Sequence, residues 1–299
     1  MVTVSTSAFY GRSNQQLASL RTRAEAMQTQ IGTEQRLTRS SDDPAAAARL
    51  RTLDRRERLS KVDQGNSDRA ATDLKLADHA VSSMADIVIR AKELTLQARS
   101  TLQTDSGQKA IASEIASLRE ELLAAANSRD AAGHALFGGE AAGDAYTQAG
   151  GVVGYQGAGT APQTELGDGQ SIQRSMTGPD ILSFGGTDLF EVLGNLAAGL
   201  TTGGAAALSA AGDALGLLDA GLEKVTTAQT VIGTRQAWVE TIDDRRTNTA
   251  ELVSEERTNI GGTDPAGTIT RLKELMTVLE ASQASFARLS GISLFNQLN

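Results

Sequence analysis

The chain has 299 residues, no cysteine, 3% aromatic residues and a net charge of −8. Without cysteine there can be no disulfide, thiolate zinc site or cysteine nucleophile, and the negative balance argues against nucleic acid as a partner, because phosphate binding needs a basic surface. The length allows two or three domains with a sizeable core, and few aromatics beside abundant alanine and leucine fit long helices with small contact residues.

Met1 to Tyr10 lacks the basic segment and apolar run of a secretory signal, and no stretch is expected to reach membrane-spanning length, so no membrane insertion is expected. The first periodic segment carries Leu17, Leu20, Ala24, Met27 and Ile31 at three- and four-residue spacings, one stripe along a helix. Next come Ser41, Asp42, Asp43 and Pro44, in which a serine or aspartate can cap a helix and proline suits its first turn. A helix is therefore predicted from about residue 44. Arg49, Arg51, Arg55, Arg56, Arg58 and Lys61 cluster on it with Asp54 and Glu57 interleaved, the pattern of a solvated face, with an electrostatic contact with a neighbour as the alternative. The polar stretch from Arg55 to Arg69 contains Gly65-Asn66, where a break or bend is expected. Beyond it Leu74, Ala77, Val81, Met84, Val88, Ala91 and Ala98 keep a heptad stripe; an unbroken helix would be roughly 85 Å long at 1.5 Å per residue. Gly107 marks the turn before a third helix carrying Ile111, Ile115, Leu118, Leu122 and Ala125, antiparallel to its predecessor because the connection is short.

The character changes at Asn127. From Gly133 to about Gly186 the chain is rich in glycine, with runs such as Gly151 to Tyr155 and Ser171 to Ser175 that predict brief strands joined by tight turns. Helical periodicity returns with Leu189, Val192, Leu193 and Leu196, then Leu208, Ala211, Leu215, Leu218, Leu222, Val225, Ile232 and Val239. Glycines 212, 216, 221 and 233 weaken that second run, so packing must hold it. Asn259 to Pro265 breaks it, and Asp264-Pro265 repeats the earlier start signal. The terminal helix then carries Leu272, Leu275, Leu279, Phe286 and Leu289, matching the stripe near the amino terminus.

These patterns predict a mainly α protein, in which long antiparallel helices form a coiled-coil rod from both chain ends around a small β-rich inserted domain. The expected segments are an N-terminal coiled-coil segment (1–43), an N-terminal helical arm (44–132), the β-rich insert (133–186), a C-terminal helical arm (187–262) and a C-terminal coiled-coil segment (263–299). Leu294, Phe295 and Leu298 lie beyond the paired stripe and are offered, with the stripe itself, as partner-binding residues. No catalytic site emerges. His79 and His134 have no second or third metal ligand at usable spacing, Asp42 and Asp43 sit where a helix cap belongs, the glycines at 154, 157 and 159 match no phosphate-binding pattern, and no serine has a histidine placed to activate it. No enzyme activity, cofactor or metal is expected.

Several stretches together resemble a known family. Arg36-Leu37-Thr38 through Ser41-Asp42-Asp43-Pro44, the ending Ser293-Leu294-Phe295-Asn296-Gln297-Leu298, and in between Asn127-Ser128, Gly133, Leu136-Phe137-Gly138-Gly139 and Gly154-Tyr155-Gln156-Gly157 are similar in order and spacing to the bacterial flagellins. The proline after the paired aspartates and the Ser-Leu-Phe ending are closer to the family's hook-filament junction branch than to its filament subunits. Departures are Glu34-Gln35 where the family usually has Gly-Lys, Ser40 where it often has proline, and Gln297 where an aromatic is common. Loss of that glycine implies a first helix that runs further than in relatives. The resemblance implies a secreted structural protein of the extracellular flagellum, exported unfolded with a chaperone and assembled as a ring between an adjacent hook-associated protein and flagellin. A filament-forming flagellin and an unrelated helical scaffold are the alternatives.

Overall fold

The computed structural model describes residues 6–100 and 104–295, with side chains at the two ends described at residue 8 and from residue 10 to residue 288. Two compact units divide the chain, Met1–Arg58 with Asn248–Asn299, and Leu59–Thr247.

The first unit contains α1 (Thr6–Thr33), the start of α2 (Pro44–Ala98), the end of α6 (Gly204–Gly261) and α7 (Pro265–Phe295). Pairing of the amino- and carboxyl-terminal stripes is realised as α1 against α7. The first helix does not run on. It stops at Thr33, and Glu34 takes φ +57, the left-handed conformation for which a glycine would be the ordinary choice. The turn is therefore kept without its usual residue.

The second unit contains the rest of α2, then α3 (Asp105–Ala126), six short strands, α4 (Gly178–Leu182), α5 (Leu189–Thr202) and the rest of α6. The expected break at Gly65-Asn66 is absent, since α2 passes through both residues. Neighbours hold it there: the Asn66 side chain donates to the Glu165 carbonyl (2.9 Å) and Arg69 reaches back to the Gly65 carbonyl and Asn66 Oδ1 (3.0 and 2.7 Å). Nor does Gly107 sit in the turn before α3. It lies in the helix's first turn, where its N–H donates to the N-cap Thr104 hydroxyl.

The core of this unit is where the heptad residues meet. Leu74, Val81, Met84 and Val88 of α2 are fully buried with Ile115 and Leu122 of α3, Leu189, Leu193 and Leu200 of α5, and Leu218, Val225 and Ile232 of α6. Each such side chain contributes about 1.5–3 kcal/mol by leaving water. Alanines at 70, 77, 91, 207 and 211 are equally sealed, which lets helix backbones approach closely. One stretch of α6 corrects the expectation that nothing reaches spanning length: an 18-residue window has mean hydropathy 1.3. Alanine and glycine raise that value without large apolar side chains. The helix carries Asp219, which pairs with Lys92 (2.5 Å), and buries Ala207, Ala211, Ala214 and Leu218 in this unit's core.

The strands form three separate antiparallel hairpins, β1 (Tyr146–Ala149) with β2 (Val152–Tyr155), β3 (Gln163–Gly167) with β4 (Gln170–Gln173), and β5 (Ser183–Phe184) with β6 (Thr187–Asp188). Each turns through two residues of positive φ, Gly150-Gly151, Asp168-Gly169 and Gly185-Gly186, the geometry that matches strand twist in a tight hairpin. No shared sheet forms among the described residues. Tyr146, Val153, Leu166 and Ile172 instead point into the helical core. Asn127, the C-cap of α3, fastens the first hairpin by exchanging two hydrogen bonds with the Tyr146 backbone (2.8 and 2.9 Å).

Candidate assembly site

The terminal helix pair and the turns at its base gather most of the residues singled out in the sequence. On α1, Ala24 is buried while Leu17, Leu20, Met27 and Ile31 are half-buried; on α7, Leu272, Leu275, Leu279 and Phe286 are half-buried. Tyr10 stacks edge-on against Phe286, ring centroids 5.5 Å apart. A cleft of about 450 Å³ opens beside this contact, lined by Asn14, Leu17, Ala18, Arg21, Gln283 and Phe286. Successive helix residues turn by about 100°, which places Ile269 and Met276 on one side of the α7 stripe and Val278 on the other, exposed by 40, 43 and 51%. The helix is thus apolar over about half its circumference, and α1 covers only the middle. Leu289, Leu294 and Phe295 lie on α7 with side chains outside the described set, and Leu298 is outside the described residues.

At the base, the helix-start residues act in distinct ways. Asp43 is the N-cap of α2, its Oδ1 accepting from the Ala46 N–H (3.0 Å), with Pro44 at the first helical position. Asp42 closes the preceding turn instead, its Oδ2 accepting from the Arg39 N–H (2.8 Å) and the Thr38 hydroxyl (3.1 Å). The Ser41 side chain is exposed and takes no part in the cap. Hydrogen bonds from backbone N–H groups, Ala46 to Asp43 and Arg39 to Asp42, hold both carboxyls below the usual range. Asp264 repeats the arrangement on α7, accepting from the Ala266 N–H (3.1 Å).

Sequence reasoning missed how the two turns join. The Arg36 N–H donates to the Gly261 carbonyl (2.8 Å), the Thr263 N–H to the Glu34 carbonyl (3.0 Å), and Gln35 bridges Gly262 as a single antiparallel pair. The Arg36 guanidinium spans the junction, donating to the Ile260 carbonyl (2.9 Å) and reaching Asp43 Oδ2 (3.4 Å). Just above, Arg49 holds Glu256 through two bonds (2.6 and 2.9 Å), and Arg257 holds Asp54 (3.1 Å) and Glu57 (2.8 Å). The Arg49 bond keeps the Glu256 carboxyl low. Chain segments 200 or more residues apart are joined here, so the turn at the base of each terminal helix is held by the other's. The available signal was Arg36 beside a glycine-poor turn, and Gly261-Gly262 at the matching break.

This arrangement contains packing surfaces, caps and ion pairs, and among the described residues no assembled nucleophile, base or oxyanion site. Elsewhere His134 pairs with Asp130 (Nδ1 to Oδ2 3.3 Å), and among the described residues no three His, Cys, Asp or Glu side chains cluster as metal ligands.

Models of two parts of one family match the chain, the bacterial flagellin N-terminal helical region over residues 4–142 and the C-terminal helical region over residues 215–298. The chain is 25% identical to flagellar hook-associated protein 3 of Escherichia coli over 287 residues, 89% of this chain and 90% of the relative. It is likewise 25% identical to flagellar hook-associated protein 3 of Salmonella typhimurium over 293 residues, 90% of this chain and 91% of the relative. Flagellar hook associated protein-3 from Legionella pneumophila has the same fold, with a TM-score of 0.62 at 13% identity over 76% of this chain and 99% of that one. With both helical ends matched and the same helical plan between them, the chain belongs to the bacterial flagellin family.

Proposed function

We propose that the chain is a structural subunit of the bacterial flagellum that works at the hook-filament junction, seated between an adjacent hook-associated protein and flagellin and repeated in a ring. The observation that carries this reading is the half-covered apolar circumference of α7: the terminal pair keeps α1 and α7 together and leaves Ile269, Met276 and Val278 for neighbours. Relatives named hook-associated protein 3 that match nearly the whole chain support the same place in the assembly. Its location would be outside the cell, reached through flagellar export with a chaperone, and the absence of cysteine suits a chain that must travel unfolded. The role needs no chemistry and no cofactor.

The test is Leu279→Asp with Phe286→Asp. Two carboxylates in the seam must stay unpaired or force α7 off α1. The double variant should be made and exported, yet appear in the medium with unpolymerised flagellin, leaving cells with hooks and no filaments in electron micrographs. Full-length filaments on normal hooks would refute the reading.

A further inference from the structure

Within the first unit the start of α2 and the end of α6 form a second antiparallel pair, whose seam is closed on one flank by Arg49–Glu256 and on the other by Arg257–Asp54. The outer face of α2 carries Arg51, Arg55 and Arg58 at positions i, i+4 and i+7, all exposed and, among the described residues, without a hydrogen-bond or ion-pair partner. Arg49 and Arg257 of this pair are matched with carboxylates, whereas these three, like the exposed Arg56 on the Arg49 flank, are not; like charges at this spacing cost a few tenths of a kcal/mol per pair in an isolated helix. The outer face of α6 carries Asn248, Leu252 and Glu255 at the same spacing with Glu251 alongside, also exposed and unpaired, and Leu252 leaves 67% of its surface in water.

The two stripes cannot meet in one chain. Taking about 100° per residue from the seam, Arg51 and Arg58 lean toward the Arg257 flank of the pair, whereas Asn248 and Leu252 lean toward the Arg49 flank. In two copies set side by side they would face one another. We propose that a second copy of this chain docks here, the arginine stripe of one copy against the Glu251, Leu252 and Glu255 stripe of the next. The guanidinium groups would pair with the two carboxylates while their aliphatic stems cover Leu252. A contact between unlike faces leaves one of each free at the ends, so it propagates into a closed ring or a helical array and does not stop at a dimer. This inference rests on the flagellar assembly reading and specifies which faces of the subunit touch.

Because the chain has no cysteine, Arg55→Cys and Glu255→Cys can report the contact without background. In flagella isolated from cells and mildly oxidised, the chain carrying both substitutions should give a ladder of dimers, trimers and higher species on a non-reducing gel. Each single substitution should give monomer only. A dimer from either single variant, or monomer only from the double variant present in flagella at wild-type amounts, overturns the interface and leaves the junction reading standing. Absence of the unmodified chain from isolated flagella removes both. As a second arm, Arg55→Glu with Arg58→Glu should reduce the chain's abundance in flagella at least tenfold, and adding Glu251→Lys with Glu255→Lys should restore it; unchanged abundance in the first variant, or no recovery in the second, also overturns the proposal.

Discussion

Leu74, Val81, Met84 and Val88 of α2 are sealed from solvent, whereas Leu272, Leu275, Leu279 and Phe286 of α7, at similar helical spacings, keep part of their surface in water. The difference lies in the number of partners. In the second unit α2 shares one core with α3, α5, α6 and the apolar faces of the hairpins, so every side of a leucine meets protein. In the first unit α7 packs chiefly on α1. Periodicity therefore reports that a helix has an apolar face and is silent on how much of that face its own chain will cover. In an assembly subunit the uncovered part is the informative one.

The most direct way to break this comparison is to make the same substitution in both places. Leu193→Ala, in the sealed core, should cost about 3 kcal/mol, within the range for fully buried leucines. Leu279→Ala in the half-covered pair should cost about 1 kcal/mol in the monomer, since only part of its transfer energy is gained there. The single tryptophan, Trp238, lies in the second unit, so its fluorescence during urea unfolding follows that unit while circular dichroism follows all helices. Leu193→Ala should move the fluorescence midpoint and Leu279→Ala should not. Equal shifts would mean that the terminal pair is as well packed as the core.

Acid should separate the units next. In the first unit Asp42, Asp43 and Glu256 have lowered pKa values when folded. Their stabilisation is complete above the unfolded values near 4 and is lost as pH falls through the folded values. In the second unit the Asp130 carboxyl is also lowered, hydrogen bonds from His134 outweighing its burial, but Asp73 on α2 is the opposite case. Burial raises its pKa against the pull of Arg174, 2.9 Å away, so its folded form binds a proton more readily than its unfolded form and gains stability on acidification. Titration from pH 6 to pH 2.5 should lose α1 and α7 amide protection, read by hydrogen exchange, before the amides of α2 between Leu74 and Val88. Simultaneous loss would show that the caps and ion pairs contribute little.

How much of this was legible in the sequence follows the same division. The stripes of α1, α2, α3 and α7, the caps at Asp43 and Asp264 and the glycine-rich hairpin region are local patterns, and local patterns can be read from one chain. The continuity of α2 through Gly65-Asn66 could not be, because the contact that holds it, Asn66 on Glu165, joins residues 99 apart. The clamp at Arg36 was hidden for the same reason, its partners at Ile260 and Gly261 being 224 and 225 residues away. The arginine stripe was visible as a cluster, but its lack of partners appears only once Arg49 and Arg257 are seen to have theirs.

The glycines of α6 sharpen the comparison further. Packing holds α6 in spite of its four glycines, but only Gly221 is itself crowded: a Cβ there would run into Leu189 and Phe184, while one at Gly212, Gly216 or Gly233 meets nothing within 4 Å. Gly216→Ala should therefore stabilise the second unit by about 0.8 kcal/mol through the lost flexibility of the unfolded chain, and Gly221→Ala should destabilise it. Both are read from the Trp238 transition. Destabilisation by Gly216→Ala would indicate that this open face of α6 is needed bare.

The smallest expected effect concerns the residue that takes the left-handed turn after α1 without being glycine. Glu34 is held at φ +57 with its carbonyl accepting from Thr263, and a side chain in this region costs about 1–2 kcal/mol relative to glycine. Glu34→Gly removes that strain, but glycine also gives the unfolded chain more freedom to lose, worth about 0.5–1 kcal/mol in the other direction. The balance is a gain of about 0.5 kcal/mol, confined to the first unit. It should appear as slower amide exchange at Arg36 and Thr263, whose N–H groups join the two turns, with no change in the Trp238 transition. Faster exchange would mean that the glutamate side chain, and not only its backbone, holds the clamp, and the left-handed turn would then be the form this sequence prefers.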